Sequence, residues 1–286
     1  MIWIKWLGLL SGALVAVAVG LNAFGAWRWA KGTGVLMSRL EAARVTPAPA
    51  RYDVRELEGL PPPVQHYFRS VLKDGQAIIA AASVSHVGTF NMGETVDQWR
   101  PFTSVQRVVT RRPGFVWDGR VAMMPSLPVR VHDAYLGGEG ILRPAILGLF
   151  TLIDLHGTGD IAQGELMRYF AEAAWYPTAL LPSQGVHWQS VDVHSAKATM
   201  SDGPLTLTML FRFDEEGLIE SCLAEARGRT VGKAIVATPW EGRWSNYQLH
   251  DGLRVPFSGE VAWLTPEGRK VYWRGTITSL DYEFAP

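Results

Sequence analysis

The chain has 286 residues, with 27 basic and 27 acidic side chains, so its formal charge is zero, while 48% of residues are hydrophobic and 19% are charged. That composition excludes a disordered chain, which needs low hydrophobicity and a large net charge, and it leaves no basic excess to neutralise a nucleic-acid backbone. The single cysteine, Cys222, excludes an intrachain disulfide framework and a thiolate zinc site.

The zero is an average over unlike parts. Residues 1–40 hold no acid, only Lys5, Arg28, Lys31 and Arg39. From Trp6 to Trp27 no side chain is charged, and that run, at about 1.5 Å per residue, suffices to cross a hydrocarbon core of roughly 30 Å. Trp3 and Trp6 sit at one end and Trp27 and Trp29 at the other, as indole rings do at the two faces of a bilayer. A cleaved signal peptide is the competing reading, with Lys5 as its basic start and Ala23-Phe24-Gly25 as a small-x-small site. The length of the run favours a retained single-pass transmembrane anchor over residues 1–31, touching the membrane through residues 6–27. The positive-inside count places the remainder in the cytoplasm. A short basic start before an apolar core is also the pattern of an export signal-anchor, which places it outside, the side favoured here.

Residues 32–57 read as a helical continuation or stalk ending in a Pro/Ala linker, Thr46-Pro47-Ala48-Pro49-Ala50. Pro61-Pro62-Pro63 then opens a short helix over Val64 to Leu72, whose Val64, Tyr67, Phe68 and Val71 share one face. From Ala77 onward the pattern is mostly β. Leu205, Leu207, Met209, Phe211 and Phe213 alternate with Thr206, Thr208 and Arg212. Similar runs recur near 104–110, 115–123, 128–135, 186–193, 218–226, 255–263 and 271–283, separated by turn signals such as Arg112-Pro113-Gly114 and Pro266-Glu267-Gly268. Strand after strand joined by short turns implies an antiparallel meander, and residues 58–286 read as a single β-rich domain. One helix interrupts it, from about Ile161 to Ala174, with Asp160 and Gln163 as a capping box. The fold class is therefore α+β, mainly antiparallel: a curved sheet, or half-barrel, packed on one or two helices behind the N-terminal helix.

Several segments carry a family resemblance: Gly164-Glu165-Leu166-Met167-Arg168-Tyr169-Phe170-Ala171-Glu172-Ala173-Ala174-Trp175-Tyr176-Pro177-Thr178-Ala179-Leu180-Leu181-Pro182, with Leu60-Pro61-Pro62-Pro63-Val64-Gln65, Trp99-Arg100-Pro101-Phe102 and Pro239-Trp240-Glu241-Gly242-Arg243. They resemble a bacterial family of uncharacterised membrane-anchored proteins, a domain of unknown function, over roughly residues 58 to 284. That resemblance implies no catalytic or binding residue. The sheet-around-helix pattern also resembles the lipoprotein-carrier fold, in which a curved sheet encloses an apolar cavity.

The polar face of the helix is the leading candidate site. Arg168 lies three residues from Glu165 and four from Glu172, within pairing range of both. These charges form either a paired helix face or the polar floor of a pocket walled by Tyr169, Trp175 and Tyr176. A second group is Trp117-Asp118-Gly119-Arg120 with Arg130-Val131-His132-Asp133. Neighbours on a strand point apart, so His132 and Asp133 do not pair, and no Gly-x-Ser-x-Gly elbow supplies a nucleophile. The seven histidines lack metal spacing, and neither a phosphate loop nor a dinucleotide fingerprint occurs, so no cofactor or metal is implied. The apolar run Ile141 to Ile153 is core under the helix or a membrane-facing lip; Trp240, Trp244 and Trp263 are core or cavity lining. Three functions stay open. The first is a membrane-anchored protein binding a lipid or other apolar ligand. The second is a membrane-associated enzyme using Glu165, Arg168 and Glu172 with Asp133 or Glu241 nearby, Arg243 being a further ligand-binding candidate. The third is an assembly factor that binds proteins through its edge strands.

Overall fold

The computed structural model describes residues 2–93, 96–124, 127–232 and 234–286, without the side chains of residues 2, 4, 5, 7, 8, 11 and 14. Strand-forming segments follow one another along the chain: β1 (Ile79–Asn91), β2 (Trp99–Val109), β3 (Gly114–Met124), β4 (Leu127–Leu136), β5 (Glu139–Ile146), β6 (Phe150–Thr151) and β7 (Leu155–Gly157). After a helical stretch come β8 (His187–Ser190), β9 (Ser195–Asp202), β10 (Leu205–Phe213), β11 (Ile219–Val231), β12 (Ala234–His250), β13 (Leu253–Thr265) and β14 (Gly268–Phe284). All join one antiparallel sheet in the order β6-β5-β4-β3-β2-β1-β14-β13-β12-β11-β10-β9-β8, with β7 also paired to β5. The chain walks from β1 in the middle to one edge, crosses to the opposite edge, and walks back until β14 lies beside β1.

The crossing is made by α3 (Asp160–Glu172; the helices before it are α1, Ile2–Ala42, and α2, Pro62–Val71) and three 3-10 turns, Ala173–Trp175, Pro177–Leu180 and Pro182–Gln184. The α3 helix begins one residue earlier than its periodicity suggests. Gly159 stands at the cap, so the expected Asp160–Gln163 capping box does not form; Asp160 falls inside the first turn, where its charge favours the helix dipole. The helix touches β3, β4 and β5 on one side and β10 and β11 on the other, bridging the two wings of the sheet. Its polar face turns to the sheet, so Glu165, Tyr169 and Glu172 are as buried as Leu166 and Phe170.

Antiparallel alternation gives the sheet two distinct ends. The hairpins β1–β2, β3–β4, β5–β6, β11–β12 and β13–β14 turn at one end, and β2–β3, β4–β5, β10–β11 and β12–β13 at the other. The second, distal end is plugged. There α2 buries Val64, Tyr67, Phe68 and Val71, with Tyr67 against Phe213 and the Ser70 hydroxyl on the Glu216 carbonyl. The 3-10 turns fill the space behind, with Tyr176, Leu180 and Leu181 fully buried. The Thr178 hydroxyl accepts the amide of Ile79 where β1 begins, and the Trp188 indole donates to the Leu180 carbonyl.

Glycines let the interior tryptophans lie flat on the strands. A Cβ on Gly119 would come within 1.9 Å of the Trp117 ring, one on Gly275 within 2.3 Å of Trp273, and one on Gly259 within 2.6 Å of Trp244. Each indole therefore occupies a place that any side chain at the glycine would claim.

The α1 helix crosses the convex face. Leu36, Met37 and Leu40 pack over Ala81, Val109, Val116 and Ala134. At mid-sheet the Trp29 indole stacks on His132, with centroids 3.8 Å apart, and donates to Asp118 at 2.9 Å. The Thr33 hydroxyl donates to the other Asp118 oxygen at 2.6 Å and meets His132 Nε2 at 2.8 Å. With that hydroxyl proton on Asp118, the ring nitrogen is the donor of the second contact. Burial pushes His132 down to about 4, with Asp118 pulling the other way, so the ring is neutral near pH 7. Gly25 rests against Leu147 and Leu149, just past the end of β5. The helix thus leaves the domain at the end opposite the plug, the proximal end. Beyond Gly25 it exposes Leu9, Leu10, Val15, Val17, Val19 and Phe24. Among the described residues no helix is long and apolar enough to cross a membrane. The anchor expected over residues 6–27 falls partly on the side chains of residues 7, 8, 11 and 14, which lie outside the described set.

Candidate functional site

Cross-strand pairing on the concave face lines up Gln106 of β2, Trp117 of β3 and Asp133 of β4. Arg168 of α3 descends onto this row. Its Nη1 donates to Asp133 Oδ2 at 2.6 Å, its Nε to Glu172 Oε1 at 2.7 Å and its Nη2 to Gln106 Oε1 at 3.1 Å. Gln106 closes the ring by donating to Glu172 Oε2 at 2.6 Å. The guanidinium carbon lies 4.9 Å from the Phe115 ring centroid and 5.3 Å from that of Trp117, a cation over two aromatic faces. Burial alone would lower the pKa of Arg168; the carboxylates of Glu172, Asp133 and Glu165 outweigh it and raise it.

Glu165 occupies the next turn of the helix. Its Oε1 is 3.7 Å from Arg227 Nη2, and its side chain neighbours that of Asp133. Neither Asp133 Oδ1 nor Glu165 Oε2 has a donor from another residue. Burial first, and the Asp133 charge second, push Glu165 well above the usual carboxylate range. Arg227 continues the chain, with its guanidinium 4.6 Å over the Trp240 ring, while the Trp240 indole donates to the Tyr272 hydroxyl at 3.0 Å. His86 lies deeper, 4.7 Å from the Trp175 ring; burial and then the Arg168 charge push it down to about 3.

The cluster is roofed by aromatic rings at the proximal end. Phe90 sits edge-on to Phe102 at 5.2 Å and to Trp117 at 6.2 Å, and Tyr272 stacks on Trp263 at 5.9 Å. Phe90, Met123, Val131, Val261, Trp263 and Tyr272 pack against the core yet remain half-buried. The concave face therefore ends proximally in a half-buried apolar patch, the mouth, above a buried charged floor. A separate cleft of about 230 Å³ between α3 and β9–β11, lined by Gln163, Met167, Lys197 and Thr208 among others, shares no residue with that floor.

Of the residues singled out from sequence, Glu165, Arg168, Glu172 and Asp133 converge here, and Trp240 joins them through Arg227. Tyr169, Trp175 and Tyr176 belong to the plug beneath: Tyr169 donates to the Thr110 carbonyl at 3.1 Å and Tyr176 to the Tyr169 carbonyl at 2.7 Å. Glu241 and Arg243 lie on the outer face, bonded to one another at 2.9 Å, with Arg269 also on Glu241. Strand parity demands that separation, since Trp240, Gly242 and Trp244 point inward. Sequence reasoning missed Gln106 and Arg227. Gln106 had a signal, a polar residue in step with Phe102 and Val108 on an apolar face. Arg227 had none, because a bulge between Ala224 and Arg227 shifts the alternation.

No curated protein matches the sequence. Among solved structures the chain is similar to a LolA superfamily protein from Nitrosomonas europaea, at 10% identity and TM-score 0.38 over 78% of this chain and 93% of that one. It is also similar to a DUF1329 family protein from Desulfovibrio piger, at 11% identity and TM-score 0.37 over 72% and 86%. The sequence matches one family over residues 58–282, which spans the sheet, the plug and the charged floor, and the chain belongs to that family, the family of unknown function DUF6920.

Proposed function

We propose that this protein is a membrane-anchored binding protein that takes a lipid or other apolar ligand at the proximal mouth of its curved sheet. One observation carries the reading: the half-buried aromatic mouth and the departing apolar end of α1 are at the same end of the sheet, while the other end is plugged. An acyl chain entering there would lie against Phe90, Val131 and Tyr272, with any polar head near the rim. The expected result is that full-length chain purified in mild detergent yields a co-purifying lipid on organic extraction and mass spectrometry. The Val131→Asp variant, which places a charge in the mouth, should lose most of it. Extracts free of lipid beyond the detergent background, or identical for both chains, would contradict the proposal.

A second reading is favoured by Glu165, a buried carboxyl beside Asp133 that burial pushes above the usual carboxylate range. A carboxyl kept neutral below an apolar mouth is suited to protonating a bound substrate. On that reading the native chain releases its ligand chemically altered and Glu165→Gln releases it intact. Identical molecules from both chains would leave binding alone.

A further inference from the structure

We infer that the proximal rim is a docking surface for a lipid bilayer, on which the domain sits mouth-down beside its own α1. The inference rests on the anchor reading of α1 and not on the identity of the ligand. Its first ground is the chemistry of the hairpin tips. Met92 and Val96 stand at the β1–β2 tip, Met124 at β3–β4, Phe150 at β5–β6, and Ile235 and Val236 at β11–β12, all exposed. Val96, Phe150 and Ile235 are each at least 60% exposed. A single exposed apolar side chain needs no explanation, but apolar tips on four of the five hairpins named at this end form a set, the fifth turning on Pro266-Glu267-Gly268. The distal turns are built mainly from Arg111, Arg112, Glu215, Glu216 and Asp251, with Val191 and Val193 in one turn and Leu249 beside another as exceptions.

The second ground is continuity with α1. Gly25 rests on Leu147 and Leu149, three residues or fewer from Phe150. A bilayer that receives the helix before Gly25 therefore meets this rim at the same level. The third ground is charge. Arg120 and Arg130 face each other directly across β3 and β4 on the convex side, where like charges repel, and neither has an ion pair among the described residues. Lys31 lies over the Trp27 ring close by, 4.0 Å from its centroid. Asp118 offsets part of that repulsion at Arg130, and anionic headgroups would supply further counter-charge.

The test uses the full chain reconstituted into vesicles of phosphatidylcholine with phosphatidylglycerol. An environment-sensitive thiol dye is placed at the rim through F150C or I235C, and at the distal end through D251C. The native thiol of Cys222 is buried and pushed up to about 12, so it does not compete for the dye. Floated vesicles should carry all three chains. Both rim probes should show blue-shifted emission and lose most of it to lipids brominated on the acyl chain, while the distal probe stays water-like and unquenched. Rim probes as water-exposed as the distal one, on chains that float, would overturn the inference. So would rim probes that shift to the blue without lipid quenching, the result of contact with protein or a second copy. Chains that fail to float after an alkaline wash would remove the anchor and the docking surface together.

Discussion

Arg168 is the residue on which the interior electrostatics turn. It compensates Asp133 and Glu172 at once, and a buried pair broken from one side leaves its partner charged and desolvated. Arg168→Met is therefore expected to lower stability by about 3–5 kcal/mol. Adding Asp133→Asn and Glu172→Gln, which remove the orphaned charges, should restore much of that, as read from denaturant midpoints. A triple variant no more stable than the single one would contradict the account. Glu165 gives a sharper test because its sign is fixed. Its native pKa lies above the unfolded value of 4.5. Between those two values the folded chain keeps a proton that the unfolded chain has released, so native stability falls as pH rises through that window. Glu165→Gln has no such proton and can still donate to Asp133. Its stability relative to the parent should climb from about pH 5 upward, by at most about 1.4 kcal/mol per pH unit. A difference that stays constant with pH would exclude a raised Glu165 pKa. The pairing of Arg168 with Glu172 was legible from their spacing of four; the preference of Glu165 for Asp133 was not, because no sequence pattern says which strand lies over which helical turn.

At the scale of elements, the segment over residues 164–182 is mostly scaffold. Tyr169, Trp175, Tyr176, Thr178 and Leu180 hold the plug, and only Glu165, Arg168 and Glu172 within it reach the charged floor. Sequence showed the helix because its period is unambiguous over thirteen residues, and it showed strands wherever polar and apolar residues alternate cleanly. Strand β5 was harder, since Ile141 to Ile146 carries apolar residues on both faces, interrupted by Arg143, and reads as core or lip. The docking of α1 was invisible, because Trp29, Thr33, Asp118 and His132 meet across 85 residues or more of chain. That lock makes a prediction of its own. Trp29→Ala removes a stacked ring and an indole hydrogen bond, and a loss of at least about 1.4 kcal/mol should speed tryptic cleavage after Arg39 and Arg44 about tenfold. Acidification should act likewise. Neutral His132 stabilises the docked helix above the ordinary histidine pKa of 6.5, and that contribution is lost as pH falls towards its native value of about 4. Cleavage rates indifferent to both changes would mean that α1 is held elsewhere.

For the whole molecule, the account is one of polarity between two ends. The distal end is closed by α2 and the 3-10 turns, and the proximal end offers half-buried aromatic rings beside the departing α1. The curved antiparallel sheet followed from the alternation and the turns. Its two-way walk from β1 outward and back to β14 did not, because hairpin patterns do not say which distant strands close the middle. The twelve tryptophans divide accordingly: four flank the apolar run, and several of the others lie over glycines as the walls of the concave face. The measurement that addresses the central proposal most directly is photolabelling of the full chain in vesicles containing a lipid with a diazirine in its acyl chain. Labelled peptides mapped by mass spectrometry should include those bearing Phe90, Met123, Val131 and Tyr272 in addition to α1. Label confined to α1, with the mouth peptides untouched, would contradict a mouth that takes its ligand from the membrane.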